Sequence, residues 1–240
     1  RHMVDEGMTC AALEVSSHAM VLHRVAAVQF EVAVFTNLSQ DHLDFHKDME
    51  EYFEAKASLF TPAHTKRGIV CVDDEWGRRL AADASVPVTT YSAKGHEADF
   101  TVGEIRRGEY GTVFTVQPSE GEPFTLESAL PGTHYVANTL AVALVLRALG
   151  FEGEAVRRAL AVAGTVPGRM ERVAESDACP RVVVDYSHTP DALEQALETL
   201  HTLEGVGKIV TVFGAGGHRD SLKRPIMGDC LLYTSPSPRD

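Results

Sequence analysis

The stretch of sequence that decides the fold is VAVFTNLSQDHLDFHKDMEEYFEAKASLF, residues 32–60. Its first part, residues 32–38, is mostly apolar and predicts a buried strand. Its last part, residues 48–60, predicts a helix, because Asp48 and Glu51 have the spacing of a capping box. A polar segment joins the two parts. A strand that leads through a polar loop into a helix is typical of an α/β fold.

Outward from this stretch, strands and helices continue to alternate. The further predicted strands are residues 9–15, 68–72, 86–93, a hairpin within 99–117, 124–130, 181–186 and 208–213, and the further predicted helices are residues 134–149, 152–163 and 190–203. This order predicts an α/β fold with a mainly parallel sheet.

The segment at residues 164–168 contains glycine and proline and interrupts this pattern. We therefore place a domain boundary there. The predicted units are a central domain at residues 1–167 and the start of a second α/β domain at residues 168–230. Residues 231–240 are rich in proline and serine and are interpreted as a non-native tail, with a disordered native tail as the alternative.

Composition and charge exclude several classes of function. The net charge of −12, from 34 acidic and 22 basic side chains, argues against nucleic acid or an anionic membrane surface as a partner. The longest apolar stretch, residues 136–146, is too short to span a membrane. The four cysteines have no C-x-x-C spacing, which favours a reducing, cytoplasmic setting.

Two polar clusters follow predicted strands, where ligands bind in open α/β sheets. The first is EVSSH, residues 14–18, which on local pattern alone could equally be a serine-rich exit from a strand. The second contains Asp41, His42, Asp44 and His46. Its oxygen donors suit Mg²⁺ better than zinc, and the alternative is a polar loop that caps a helix.

Lys56 lies on the apolar face of the predicted helix 48–60, together with Tyr52, Phe53 and Phe60. A lysine there extends its ammonium to solvent, pairs with an anion, or is neutralised. Burial lowers the pKa of an amine and makes it nucleophilic. Such an amine can take up CO₂ as a carbamate, which is an oxygen ligand for a metal.

Three further segments place polar side chains where a ligand can reach them. Asn138 lies near the first turn of the predicted helix 134–149, Arg169 lies at the domain boundary, and Asp185 lies at a strand end. An arginine at a hinge can bind phosphate across a cleft.

Residues 214–225 combine glycines with cations. Their spacing matches the dinucleotide fingerprint G-x-G-x-x-G only loosely, because Arg219 stands where the third glycine is required. Arg219, Lys223 and Arg224 instead favour an anionic ligand.

Six of these segments, in order, resemble the motifs of one family. They are EVSSH at 14–18, VFTNLSQDHLDFH at 34–46, YFEAK at 52–56, GRME at 168–171, DYSHTPD at 185–191 and KRP at 223–225. The family is the Mur ligases, and within it the UDP-N-acetylmuramoyl-tripeptide synthetases. The resemblance implies a central domain that binds ATP and Mg²⁺ and a Rossmann-like C-terminal domain that presents an amino acid. It also implies ligation of a diamino acid, with meso-diaminopimelate favoured and lysine as the alternative, to UDP-MurNAc-L-Ala-D-Glu in peptidoglycan synthesis.

The resemblance also implies roles for residues of the central domain. Glu14, His42 and Lys56 match catalytic and metal-binding positions, with Lys56 as the carbamylated lysine. Ser16 and Arg24 match contacts to the UDP-muramoyl-dipeptide.

Further roles are implied around the domain boundary and beyond it. Asn138, Arg169 and Asp185 match nucleotide contacts, and His188 lies beside them. Arg224 matches a contact to the incoming amino acid. The enzyme that the resemblance implies is cytoplasmic and monomeric, with no nucleic acid or membrane partner.

The sequence departs from the family pattern at Leu22, where glutamine is usual, at Ala215, where cysteine is usual, and at His218, where aspartate is usual. It also contains no phosphate loop of the form G-x-x-x-x-G-K-[ST]. We therefore expect an internal fragment that does not ligate on its own.

Two other functions stay open. One is a folylpolyglutamate synthetase-like ligase, against which the EVSSH and GRME motifs argue. The other is a non-catalytic, degenerate domain. A phosphate loop encoded upstream of Arg1 would favour truncation over degeneration.

Overall fold

The structure is a computed structural model that describes residues 2–107, 111–176, 179–203, 207–214 and 223–234. The strands are β1 Ala33–Phe35, β2 Gly68–Cys71, β3 Val88–Ser92, β4 Phe100–Arg107, β5 Thr112–Pro118, β6 Phe124–Ser128, β7 Glu171–Ser176 and β8 Cys179–Val184. The helices are α1 His2–Asp5, α2 Ser17–Val21, α3 Met49–Ala57, α4 Glu75–Asp83, α5 Thr133–Ala148, α6 Gly153–Ala161, α7 Pro190–His201 and α8 Lys223–Thr234, with a 3-10 turn at Ser58–Phe60.

The main sheet has six strands in the order β1-β2-β3-β4-β5-β6. The pairs from β1 to β4 are parallel, and β4, β5 and β6 pair antiparallel. This arrangement confirms the predicted α/β class and the predicted hairpin, whose tip at residues 108–110 lies outside the described residues.

Both faces of the sheet are buried at β2, where all four residues are buried and successive side chains point to opposite faces. In β2, Val70 packs with Phe53 and Leu80 in the cluster under α3 and α4. Its neighbour Ile69 packs with Leu140 in the cluster under α5 and α6. Helices on both faces hold the carboxyl ends of the parallel strands at one edge of the sheet.

The predicted capping signals are found at the helix ends. Asp48 begins α3 by accepting the Glu51 N–H, and the Glu51 carboxylate accepts the Lys47 N–H in return. At the other end of the predicted helix 134–149, α5 ends at Ala148 and Gly150 adopts φ +90°.

The C-terminal part contains an antiparallel pair, β7 and β8, followed by α7 and α8. The two helices pack through Leu193, Leu197 and Met227. The prediction contained β8 and α7 but missed β7, because few apolar side chains in ERVAES indicate a strand.

Two predicted strands are wrong. Residues 9–15 are irregular and largely exposed, and so are residues 207–214, where Val210 and Val212 face solvent. A strand needs a neighbouring strand to bind its N–H and C=O groups. Neither segment belongs to a sheet within the part of the chain that the structure describes.

Helix α8 continues to Thr234, so residues 231–234 of the predicted tail are helical, and residues 235–240 lie outside the described part of the chain. None of the helices in the described ranges is long and apolar enough to cross a membrane.

Candidate functional site

A cleft of about 840 Å³ opens at the carboxyl ends of β1, β2 and β3. Asn138 of α5 and the C-terminal residues Arg169 and Asp185 line the same cleft. The structure thus brings together three of the residues predicted to contact a nucleotide. The edge of an α/β sheet where parallel strands end is the usual place for a ligand.

Two consecutive aspartates join the loops at this edge. Asp74 caps α4 by accepting the Gly77 N–H at 2.6 Å, and it also accepts the Leu38 N–H from the loop after β1 at 3.0 Å. Asp73 accepts the Ala93 N–H from the loop after β3 at 2.9 Å. Neither residue was predicted from the sequence, although a pair of carboxylates directly after a predicted strand is the signal that finds them.

The GRME segment at the domain boundary is held by Asp185, the residue directly after β8. The Met170 N–H donates to Asp185 Oδ2 at 2.9 Å, and the Ser187 N–H donates to Asp185 Oδ1 at 2.9 Å. The Arg169 guanidinium lies 5.2 Å from the centre of the Tyr186 ring. Asp185 therefore fixes the backbone beside Arg169 in addition to lining the cleft.

The first turn of α5 contributes His134 and Tyr135 to the cleft. Burial raises the pKa of Tyr135 to about 12, and the Asp185 carboxylate adds to this effect. Burial lowers the pKa of His134, while Asp185 and Asp191 oppose that shift. Both side chains are consequently uncharged near neutral pH.

A second cluster contains His42 and Lys56, with Glu14 and Asp41 near them. The Lys56 ammonium lies half-buried, 5.1 Å from the centre of the Tyr52 ring. Burial lowers the pKa of Lys56, and the carboxylates of Glu14 and Asp41 oppose this shift. These predicted catalytic residues therefore lie within electrostatic reach of one another.

His42 is held in a left-handed backbone conformation, with φ +57°. Its N–H donates to Asp41 Oδ1 at 2.9 Å, and burial lowers the pKa of its imidazole. In the described part of the chain, no group of three or more His, Cys, Asp or Glu side chains is arranged to hold a metal ion.

Asp41 connects this cluster to the cleft. Its Oδ2 lies 3.7 Å from His42 Nε2 and 3.8 Å from Nε2 of His188, which follows β8. The sequence analysis placed His188 beside the nucleotide contacts but gave Asp41 no role in joining the two parts of the chain. Only the tertiary structure shows that juxtaposition.

The remaining predicted residues lie apart from the cleft. Ser16 begins α2 by accepting the Ala19 N–H at 3.2 Å. Arg24 is exposed in the loop after α2, and Arg224 is exposed in the first turn of α8. Arg219, Ala215 and His218 lie outside the described residues.

Strained backbone occurs beside three of the predicted sites. Within the described residues, the non-glycine residues with positive φ are His23, His42 and Met170. His23 precedes Arg24, and Met170 follows Arg169. Such conformations are costly and concentrate at functional sites, which supports these three segments as parts of a site.

Comparison with known proteins points to one family. The sequence model described as "Mur ligase middle domain" matches residues 1–146, and that described as "Mur ligase, glutamate ligase domain" matches residues 168–236. The UDP-N-acetylmuramoyl-L-alanyl-D-glutamate–2,6-diaminopimelate ligase of Streptomyces coelicolor is 46% identical over 99% of this chain and 48% of its own length. The ligase of the same name from Corynebacterium glutamicum is 45% identical, over 99% of this chain and 47% of its own length.

Solved structures agree with this result. A structure of a UDP-N-acetylmuramoyl-L-alanyl-D-glutamate–2,6-diaminopimelate ligase superposes with a TM-score of 0.73 at 34% identity, over 96% of this chain and 47% of the other. The folylpolyglutamate synthase of Mycobacterium tuberculosis, at 24% identity and a TM-score of 0.58 over 71% of this chain and 39% of its own, shares the fold alone. The chain spans about half the length of the curated relatives it matches.

Proposed function

The chain belongs to the Mur ligase family, and on that premise we propose that it is part of an ATP-dependent ligase of peptidoglycan synthesis. The proposed reaction joins a diamino acid, meso-diaminopimelate, to UDP-MurNAc-L-Ala-D-Glu. The names of the relatives support this choice of substrates over the folylpolyglutamate synthetase-like alternative.

One structural observation carries the proposal. Asn138, Arg169 and Asp185 come from separate elements and line one cleft, which Asp41 and His188 join to the cluster around Lys56. We assign ATP to the cleft. The cluster around Lys56 would then offset the negative charge that develops during phosphoryl transfer.

We propose Mg²⁺ as the cation at the Lys56 cluster, where the unmodified side chains of the described residues do not by themselves form a group of three metal ligands. Glu14 and Asp41 are hard oxygen donors that both act on the Lys56 ammonium, and His42 lies beside Asp41. A carbamate on Lys56 adds an oxygen donor to the unmodified side chains, so we propose Glu14, His42 and carbamylated Lys56 as the ligands. Mg²⁺, when bound, offsets the negative charge of the transferring phosphate.

The proposed chemistry has two steps. The D-glutamyl carboxylate attacks the γ-phosphorus of ATP, the bond to ADP breaks, and an acyl phosphate forms. The amine of the diamino acid then attacks the acyl carbon, loses a proton, and expels phosphate. The contribution of the protein is to orient the reactants and to stabilise charge.

Ser16 and Arg24 are proposed to contact the UDP-muramoyl-dipeptide, and Arg224 the incoming amino acid. Residues 1–240 alone are not expected to ligate, because the sequence holds no phosphate loop. We propose that the parent enzyme is cytoplasmic and monomeric.

The parent ligase tests the function directly. Incubated with ATP, Mg²⁺, UDP-MurNAc-L-Ala-D-Glu and meso-diaminopimelate, it should release one ADP for each tripeptide formed. Lysine in place of diaminopimelate should react much more slowly. Extension of folate by glutamate, without ligation of the muramoyl dipeptide, would overturn the proposal.

Arg24 gives a sharper test of substrate binding. Its side chain is exposed beside the strained residue His23, so Arg24→Ala should not disturb folding. In the parent ligase this change should raise KM for the UDP substrate and leave KM for ATP nearly unchanged, because the lost contact is to the anionic UDP substrate. Arg106→Ala is a matched control at an exposed arginine of β4. Equal kinetics of Arg24→Ala and the wild type would remove Arg24 from the site.

A further inference from the structure

His46 is a buried histidine next to the Lys56 cluster. The sequence grouped it with Asp41, His42 and Asp44 in a candidate metal-binding loop, but neither the family resemblance nor the proposed reaction gives it a role. Only 2% of its surface is exposed. Its Nε2 lies 2.8 Å from the hydroxyl oxygen of Ser17, which is itself 1% exposed. A hydrogen bond between two fully buried groups is costly to break, because neither group can turn to water.

The contacts of His46 reach three separate segments. Through Ser17 it holds the start of α2, directly after Ser16. Its ring stacks on Tyr52 of α3, with centres 5.2 Å apart and planes 24° from parallel, and the Lys56 ammonium lies over that same Tyr52 ring. Its backbone N–H donates to the His42 carbonyl at 3.0 Å.

These three segments supply the groups of the proposed site. The segment before α2 contains Glu14 and Ser16, the polar loop contains His42, and α3 contains Lys56. Helix α2 also packs on α3, so their relative position depends on the side chains between them. Within the described residues, His46 combines a hydrogen bond to the first segment, a backbone bond to the second and a ring stack on the third.

We propose that His46 is a positioning residue that fixes the start of α2, the loop at His42 and the Lys56 side chain in one arrangement. It acts through Ser17 and Tyr52 and does not touch substrate. The inference rests on the proposed function only for the catalytic and binding roles of the groups that His46 positions. The competing explanation is that His46 fills space in the core and transmits nothing.

The two explanations differ in what a change at Ser17 does to Lys56. The Lys56 ammonium lies over an aromatic ring, so its neighbouring nuclei are displaced in the NMR spectrum by the ring current. Reductive methylation with ¹³C-formaldehyde labels the six lysines of the chain, and Lys56→Arg identifies the Lys56 signal. Lys47, whose side chain is 86% exposed, provides the undisplaced reference.

In the 240-residue chain, Ser17→Ala should move the Lys56 signal toward the Lys47 position, although Ser17 belongs to a different helix. His46→Phe, which keeps the ring and loses the hydrogen bond, should produce the same displacement. Ser17→Ala added to His46→Phe should cause no further displacement, because both changes break one link. Ser128→Ala, at a buried serine of β6 that donates to the Leu130 carbonyl, is the matched control and should leave the Lys56 signal in place.

A Lys56 signal that stays in place in Ser17→Ala while the melting temperature falls would show that His46 only packs, and would overturn the inference. If His46→Phe fails to fold, Ser17→Ala and its control still decide the question. None of these readouts involves ATP or ligation. A failed ligation assay with an intact Lys56 response would therefore refute the proposed function and leave the positioning role standing.

Discussion

The Lys56 ammonium lies half-buried over the Tyr52 ring, and the carboxylates of Glu14 and Asp41 interact with it electrostatically. Burial lowers the pKa of the amine and so increases its neutral fraction, which is the form that reacts with CO₂. In the parent ligase, we expect Lys56→Ala to be nearly inactive and to be partly restored by formate or acetate, which can take the place of the carbamate. The rescue is measured as the ligation rate of Lys56→Ala at increasing concentrations of formate or acetate.

The competing role for Lys56 is a direct contact between its ammonium and an ATP phosphate. That role predicts rescue of Lys56→Ala by small amines such as methylamine and no response to carboxylates. Lys66→Ala is the control, because Lys66 pairs with Glu31 at the surface, away from the cleft. Amine rescue alone would contradict the carbamate.

The lowered pKa of His134 predicts how the stability of the chain depends on pH. Because burial lowers its pKa, the folded state binds this proton less readily than the unfolded state. The contribution to stability is therefore fully present above pH of about 6.5, the ordinary value for histidine, and is lost as the pH falls through the lower pKa of the folded state. Urea unfolding between pH 8 and pH 5 should show this decline in the free energy of unfolding. The slope should correspond to the uptake of roughly one proton on unfolding.

His134→Gln should flatten that part of the curve, because glutamine does not titrate. A titration of the His134 ring followed by NMR gives the folded-state pKa directly. A midpoint above the ordinary histidine value would contradict the burial effect and would show that Asp185 and Asp191 dominate.

At the scale of residues, the sequence predicted those parts of the site that follow from local order. Asn138, Arg169 and Asp185 were found because each lies at an element end or a boundary, and the structure brings them to one cleft. The link through Asp41 could not be predicted. It joins residues that are 147 positions apart, Asp41 and His188, and no local pattern encodes such a contact.

At the scale of elements, two helix caps allow a controlled comparison. Asp48 caps α3 with one hydrogen bond, from the Glu51 N–H, and is exposed. Asp74 caps α4 and also accepts the Leu38 N–H from the loop after β1. Asp48→Ala should cost about 1 kcal/mol of stability, the usual value for a lost cap.

Asp74→Ala should cost more than Asp48→Ala, because it also leaves the partly buried Leu38 N–H without its acceptor. Urea unfolding of the two variants gives both free energies. Asp74→Asn has one oxygen acceptor where Asp74 uses two, so it should keep either the Gly77 or the Leu38 hydrogen bond, and its stability should lie between those of Asp74→Ala and the wild type. Equal costs for the two alanine variants would show that the bond to Leu38 contributes nothing to the edge of the cleft.

The elements that the sequence predicted correctly are those with strong local signals. Helix α5 has an apolar run and a glycine at its end, β2 has apolar residues between polar loops, and β3 begins with the β-branched residues Val88, Thr89 and Thr90. Strand β7 was missed because few of its side chains are apolar, whereas the strand predicted at 208–213 was wrong for a different reason. Strand formation depends on a partner that lies elsewhere in the chain, and alternation alone does not reveal it.

At the scale of the whole molecule, described residues of the C-terminal part contact the central part around the cleft. Helix α7 lies against the start of α5, where Thr199 approaches Gly132, and His188 approaches Asp41. Because these contacts surround the cleft, its shape depends on how α7 docks. Interfaces of this kind between parts of one chain commonly allow relative motion.

Gly132 tests this docking. It has φ +109°, and a Cβ there would lie 2.7 Å from Thr199 Oγ1 and 3.2 Å from Thr199 Cγ2. Gly132→Ala should therefore destabilise the chain in two ways, by backbone strain of about 1–3 kcal/mol and by displacing α7. Gly95→Ala is the matched control, since Gly95 also has positive φ, +83°, but has no atom within 4 Å of the added Cβ.

Backbone strain is common to both alanine variants, so the difference between them reports the contacts of the new Cβ with Thr199 of α7 and with His134 Cε1, 3.0 Å away in α5. Gly132→Ala should enlarge the radius of gyration in X-ray scattering, whereas Gly95→Ala should leave it unchanged. Thr199→Ala added to Gly132→Ala removes the hydroxyl and the methyl group that the new Cβ meets, and it should restore the wild-type radius. If Gly132→Ala and Gly95→Ala scatter alike, the contact between Gly132 and Thr199 does not hold α7 at the cleft, and the closure of the cleft rests on the Asp41–His188 contact instead.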